Sequence, residues 1–145
     1  MSLEKNKELA RKLVEEVLNQ RKINMVDNLL IPDFIEHEEL PPGIPAGREA
    51  PKVLFTMLHN AFPDFKATIE HLIAEEDKVI LHMKWTGTHQ GEFMGVAPTG
   101  KSISINVIDI IAIDDGMFTE HWGVMDRMTM MQQLGVIPAP VESEG

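Results

Sequence analysis

A chain of 145 residues with no cysteine and a formal net charge of −10 has room for one ordinary hydrophobic core without covalent staples. The missing cysteines exclude disulfides, thiolate metal sites and cysteine nucleophiles together. The acidic balance has no local Lys/Arg cluster against it, which opposes nucleic acid and anionic membranes as partners. The first residues become charged before any apolar run develops, and no stretch approaches the roughly 18 apolar residues of a membrane span, so a cytoplasmic protein is expected. One domain over 4–140 is expected, with Met1-Ser2-Leu3 and Glu144-Gly145 resembling vector-derived ends.

Apolar spacing predicts an amphipathic helix over 4–20, with Leu9, Leu13, Val17 and Leu18 as its stripe. A short helix over about 24–30 should stop at Pro32. A short strand over 34–38 follows, then a loop through Pro41-Pro42-Gly43-Ile44-Pro45. A third helix is expected over about 48–62, with Pro51 in its first turn and Val53, Leu54, Met57, Leu58, Ala61 and Phe62 on its buried face. From Phe65 the period changes to two, predicting strands at about 65–75, 78–90, 101–114 and 117–125. Asp114-Asp115-Gly116 is a hairpin signal between the last two. A terminal helix over 127–134 should end at Gly135. Helices first and strands later imply a segregated α+β fold, a curved antiparallel sheet around the N-terminal helices with a ligand-sized space between.

Candidate chemistry concentrates in that sheet. Asp109 shares a face with Ile103, Ile105, Val107, Ile111 and Ile113; if that face is the inner one, it is a candidate general acid or base, the other reading being a structural ion pair. His121 and Asp126 lie in Glu-His-Trp-Gly-Val-Met-Asp, where a histidine beside a carboxylate could move protons. Parity alone leaves open which face of 117–125 points inward, and Asp126 could instead be a helix N-cap. Trp85 and His89 share one parity and should face inward; with Phe34, His37 and Trp122 they form the expected substrate-binding set, the indole of Trp122 offering a flat apolar surface. No two-ligand histidine motif, phosphate loop or nucleophile elbow is present, so no metal and no cofactor are expected. Ile108 and Ile110 fall opposite Asp109 and would form an outward patch suited to a homodimer.

The succession of helix, short helix, Pro-Asp-Phe-Ile-Glu-His and a helix ending in Phe-Pro-Asp-Phe leads into Gly-Thr-His-Gln-Gly-Glu-Phe-Met-Gly-Val-Ala-Pro-Thr-Gly-Lys and Gly-Met-Phe-Thr-Glu-His-Trp-Gly-Val-Met-Asp. From about Lys7 to Pro138 it resembles the SnoaL-like polyketide cyclases of the nuclear transport factor two-like superfamily. The resemblance implies a cone-shaped α+β barrel and ring closure by intramolecular aldol addition, without metal or cofactor. In such cyclases a carboxylate removes a proton from carbon flanked by carbonyls, and polar side chains hold the enolate. The family's acid/base aspartate falls on Gly123, its strand histidine on Asp109 and a nearby glutamine on Val107. Either Asp109 or Asp126 has then taken over the proton chemistry, or the aldol reaction is not run. Two readings follow: a cofactor-independent cyclase, isomerase or hydratase of a hydrophobic carbonyl compound, or a non-catalytic ligand-binding or association domain on the same fold.

Overall fold

A computed structural model describes residues 2–138; Met1, residues 139–140 of the expected domain and the expected vector-derived Glu144-Gly145 lie outside the described residues. Helix α1, Leu3–Lys12, starts on Ser2, whose hydroxyl accepts from the Lys5 N–H at 3.1 Å. It runs on into a wider π-helical stretch, Leu13–Asn19, whose Leu13, Val14, Val17 and Leu18 are buried. After a 3₁₀ turn, Ile23–Met25, helix α2 is only Val26–Leu29, and strand β1 begins at once, Leu30–Glu36. The predicted boundary at Pro32 is therefore three residues late, and the strand expected over 34–38 starts four residues sooner, at Leu30. Proline ends a helix but does not end an edge strand, and Pro32 falls in an irregular stretch of β1 between Leu30 and Ile35, where no ladder partner is missed.

Helix α3 spans Glu49–Ala61, β2 Lys66–Glu75, β3 Lys78–Thr88, β4 Ser102–Asp114, β5 Met117–Met125 and α4 Arg127–Gln133. The switch to alternating burial after Phe65 is what builds the sheet: β4 buries Ile103, Ile105 and Val107 while Ser102, Ser104 and Asn106 face out. The curved, unclosed sheet has the order β1-β5-β4-β3-β2, antiparallel except for the parallel β1–β5 pair. The β4–β5 hairpin turns through Asp115 (φ 49°) and Gly116 (φ 75°), the two left-handed residues that a tight hairpin needs. At the chain's far end, Val136 N–H bonds Met131 O and Gly135 N–H bonds Gln132 O, closing α4 on a left-handed glycine.

One irregularity decides what the sheet presents inward. Ala112 pairs with Glu120 and Ile113 with Phe118, so Thr119 is an extra residue, a bulge in β5. The bulge reverses parity: Phe118 is fully buried before it, and His121, Gly123 and Met125 take the inner face after it. The core between helices and sheet holds Val14, Val17, Val26, Phe62, Leu81, Met83, Ile105, Ile113 and Phe118. Among the described residues no helix is long and apolar enough to cross a membrane.

Candidate active site

Between the π-helical stretch, α3 and the inner face of the sheet lies a cavity of about 170 Å³. Leu18, Phe34, Leu58, Leu81, Trp85 and Val107 are among its apolar walls. Its polar end is built by three strands. β1 contributes Glu36 and, just past its end, Glu38; β4 contributes Asp109; β5 contributes His121; Arg127 of α4 closes the rim.

The histidine is clamped. Its Nε2 lies 2.6 Å from Asp109 Oδ1 and its Nδ1 2.6 Å from Glu36 Oε1, with all three side chains largely buried. Burial works against charging the ring, but the hydrogen bonds and negative charge of Asp109 and Glu36 outweigh it and push the pKa of His121 up to about 10. At neutral pH the ring is an imidazolium donating both N–H groups. Register makes this possible. Glu36 and His121 are partners across the parallel β1–β5 pair, and Asp109 lies opposite Gly123 on the β4–β5 ladder, beside His121.

Gly123 is what leaves room for the pair. A Cβ there would sit 2.5 Å from Asp109 Oδ1 and 2.7 Å from His121 Nε2, far inside contact distance. Where the resemblance puts a carboxylate on β5, this chain has an empty position, and the carboxylate comes from the facing residue of β4.

Glu38 stands apart from this network. Among the described residues its carboxylate receives no hydrogen bond; its nearest cation is Arg127, with Nη2 at 3.6 Å from Oε2. Burial lifts the Glu38 carboxyl above the usual glutamate range; His121 and Arg127 pull it down, and Asp109 and Glu36 push it up. Glu38, Asp109 and His121 each place one donor atom within 4.8 Å of the others, the spacing of a metal cluster. The His121 ring, however, has a proton on each nitrogen and no lone pair to offer while it holds the two carboxylates.

Of the residues singled out from the sequence, Asp109, His121, Phe34 and Trp85 line the cavity. Four others are placed elsewhere. Asp126 caps α4, accepting from Thr129 N–H at 3.1 Å and Thr129 Oγ1–H at 2.7 Å, which hold its carboxyl below the usual range. His89 is fully buried against Phe62, and its Nδ1 accepts from the Thr99 N–H at 3.2 Å, clasping the loop between β3 and β4. His37 and Trp122 stack face to face on the opposite side of β1 and β5, with ring centroids 4.6 Å apart, and His37 Nε2 pairs with Glu120 at 2.9 Å. The indole thus covers an imidazole instead of facing the cavity.

Glu36 and Glu38 were not singled out from the sequence, although the signal was present. On a strand, Phe34, Glu36 and Glu38 share one parity and His37 the other; an inward Phe34 brings the two glutamates with it. Asp109 joins the two readings left open from the sequence: it lies among aliphatic residues on the inner face, and it is ion-paired, with His121 Nε2 at 2.6 Å.

The chain has relatives among known proteins in sequence and in fold. The SnoaL-like polyketide cyclase family matches residues 8–134. The nogalonic acid methyl ester cyclase of Streptomyces nogalater is 27% identical over 119 residues, covering 81% of this chain and 88% of that protein. The aklanonic acid methyl ester cyclase of Streptomyces sp. (strain C5) is 32% identical over 113 residues, covering 72% of this chain and 70% of that one. In fold, the chain is similar to TsrD of Streptomyces laurentii, with a TM-score of 0.86 and 25% identity over 94% of this chain and 99% of that one. The chain belongs to the SnoaL-like polyketide cyclase family.

Proposed function

We propose that this member of the SnoaL-like polyketide cyclase family closes a carbocyclic ring in a hydrophobic, neutral carbonyl compound by acid/base catalysis, with Asp109 as the base. The observation that carries this reading is the Asp109–His121–Glu36 network at the polar end of an otherwise apolar cavity. A site built only to hold an apolar ligand gains nothing from burying two carboxylates and an imidazolium.

The chemistry suits the arrangement. A hydrogen on carbon between two carbonyls is acidic enough for a carboxylate to remove when the carbanion is delocalised into an enolate. Asp109 takes that proton. The fixed positive charge of His121 lies beside the forming enolate and stabilises it through the field, since both of its N–H groups are already committed. The enolate carbon then attacks a second carbonyl of the same molecule: a C–H bond breaks, a C–C bond forms and the carbonyl oxygen becomes an alkoxide. Closure is an isomerisation, redox-neutral, and needs no cofactor as written. The apolar walls fold the chain so that the two carbons meet.

The methyl esters that name the two relatives, of nogalonic and aklanonic acid, are the first substrates to offer. An isobaric product with altered absorbance is the expected result. Asp109→Asn keeps the shape and removes the base, so turnover should fall about a hundredfold or more. Tight binding of an ester with no isomerisation, in wild type and variant alike, would instead favour a non-catalytic binding domain.

A further inference from the structure

Closing the ring leaves an alkoxide on the attacked carbonyl; the His121 ring has no free N–H to give it, and the proton captured by Asp109 lies at the attacking carbon. The ring's two N–H groups are held by Asp109 and Glu36 at 2.6 Å each, and Asp109 has just taken the substrate's proton. Resting on the cyclase reading above, we propose that Glu38 is the general acid of this site, delivering its carboxyl proton to the oxygen of the carbonyl that is attacked.

Three observations place it there. Glu38 lines the cavity beside the network, with a donor atom within 4.8 Å of Asp109 and of His121, so a substrate spanning two carbonyls can touch Asp109 at one carbon and Glu38 at the next oxygen. Its carboxylate accepts no hydrogen bond from any described residue, whereas Asp109, Glu36 and Asp126 each accept at least one. Its surroundings shift it toward the neutral acid. Burial and the charges of Asp109 on β4 and Glu36 on β1 raise its pKa, against the opposing pull of His121 on β5 and Arg127 on α4. Two carboxyls set apart in this way, one facing a fixed cation and one without a donor, divide into base and acid.

The cycle balances. The C–H proton goes to Asp109, the C–C bond forms, and the O–H bond is made with the proton of Glu38. Transfer of the captured proton from Asp109 to Glu38, directly or through solvent at the mouth, restores both groups. No oxidant, reductant or metal enters.

The two half-reactions can be watched separately. In deuterated water with aklanonic acid methyl ester, wild type should exchange the acidic C–H and close the ring. Glu38→Gln should still exchange that hydrogen at near the wild-type rate while ring closure falls about a hundredfold, and Asp109→Asn should lose both. Activity of wild type should fall as pH rises through the Glu38 pKa, a limb missing from the Glu38→Gln profile. Equal loss of exchange and closure in Glu38→Gln, or no loss of closure, would overturn the assignment. If wild type neither exchanges nor closes the ester, the cyclase reading fails for that substrate, and a ¹³C-carboxyl NMR titration of the free protein still decides on Glu38. Its signal, identified by loss in Glu38→Gln, should titrate above the ordinary glutamate value; an ordinary or lower midpoint removes the general acid.

Discussion

The two faces of the β4–β5 pair invert the usual partition of polar and apolar groups. Inward, these strands bury Asp109 and His121 among Val107, Ile111 and Phe118; outward, they expose Ile108 and Val124, 46% and 71% accessible, directly opposite one another. Exposed apolar residues scattered singly mean little, but here Ile73, Ile108 and Val124 lie in cross-strand rows with half-buried apolar residues and a histidine pair. Ile73, Ile80, Ile110 and Trp122 follow one another across four strands, and His71, His82, Ile108 and Val124 lie alongside. The buried charge is where the proposed chemistry lies, and the outer apolar residues are what the proposed homodimer would cover. The same alternation supplies both, so each face can be disturbed without touching the other.

The largest effect should come from Gly123. Gly123→Ala drives a methyl group to within 2.5 Å of Asp109 Oδ1, and the ion pair with His121 must separate. Turnover should drop about a hundredfold or more, comparable to loss of the base itself. Gly123→Asp alone sets carboxylate against carboxylate. Combined with Asp109→His it restores the order that the family resemblance implies, and should recover activity relative to either single change. Steady-state rates of wild type, the three single variants and the double variant check this; a Gly123→Ala enzyme with full turnover would show that the Asp109–His121 contact is dispensable.

A second contrast is thermodynamic. The folded-state pKa of His121, about 10, lies above its unfolded value near 6.5. The proton is therefore bound more tightly in the folded protein. Its stabilisation is fully present below about pH 6.5 and is lost as pH rises through about 10. Wild type should lose on the order of a few kcal/mol between pH 7 and 10.5 beyond the loss in a Glu36→Gln/Asp109→Asn variant, whose histidine faces two neutral amides. Thermal melts across that range give the comparison. Identical pH slopes in the two proteins would mean that the ring is not held as an imidazolium.

On the outer face, the proposed homodimer should yield to charge. Ile108→Lys with Ile110→Lys places two ammonium groups in the centre of the apolar rows, and the sedimenting mass should halve at concentrations where wild type is paired. Neither residue lines the cavity, so turnover per subunit should stay within about twofold unless the monomer is unstable. An unchanged mass would leave the patch without its partner.

Regular alternation made the sheet legible. The period-two run after Phe65 located β2 to β5 within two residues at every end and grouped Asp109 with Ile103, Ile105, Val107, Ile111 and Ile113, a face the structure turns inward. What alternation cannot convey is its own interruption. The extra residue at Thr119 exchanges inner and outer positions along β5, so that Phe118 and His121, three apart, both face the core. Without that bulge the parity of Trp122 is undecidable, and its stack on His37 is invisible because it needs the register of β1 against β5. The pairing of Glu36 with His121 is equally non-local, the two lying 85 positions apart in the chain. Local pattern can nominate a face, but long-range pairing decides which titratable groups meet on it.

The smallest expected effect separates the cap from the chemistry. Asp126 and Asp109 are both carboxylates near the end of the same cavity, but Asp126 spends both oxygens on Thr129 at the start of α4 and does not line the cavity. Asp126→Ala removes the N-cap and should lower the Tm by a few degrees. Asparagine caps nearly as well as aspartate, so Asp126→Asn should restore most of that loss. In both variants kcat should stay within about twofold of wild type, because the Asp109–His121–Glu36 geometry does not pass through α4. Melting curves and turnover measured together decide the matter. A collapse of kcat in Asp126→Asn at unchanged Tm would move Asp126 from the helix terminus into the reaction, and would require the cavity to reach further along α4 than its walls now do.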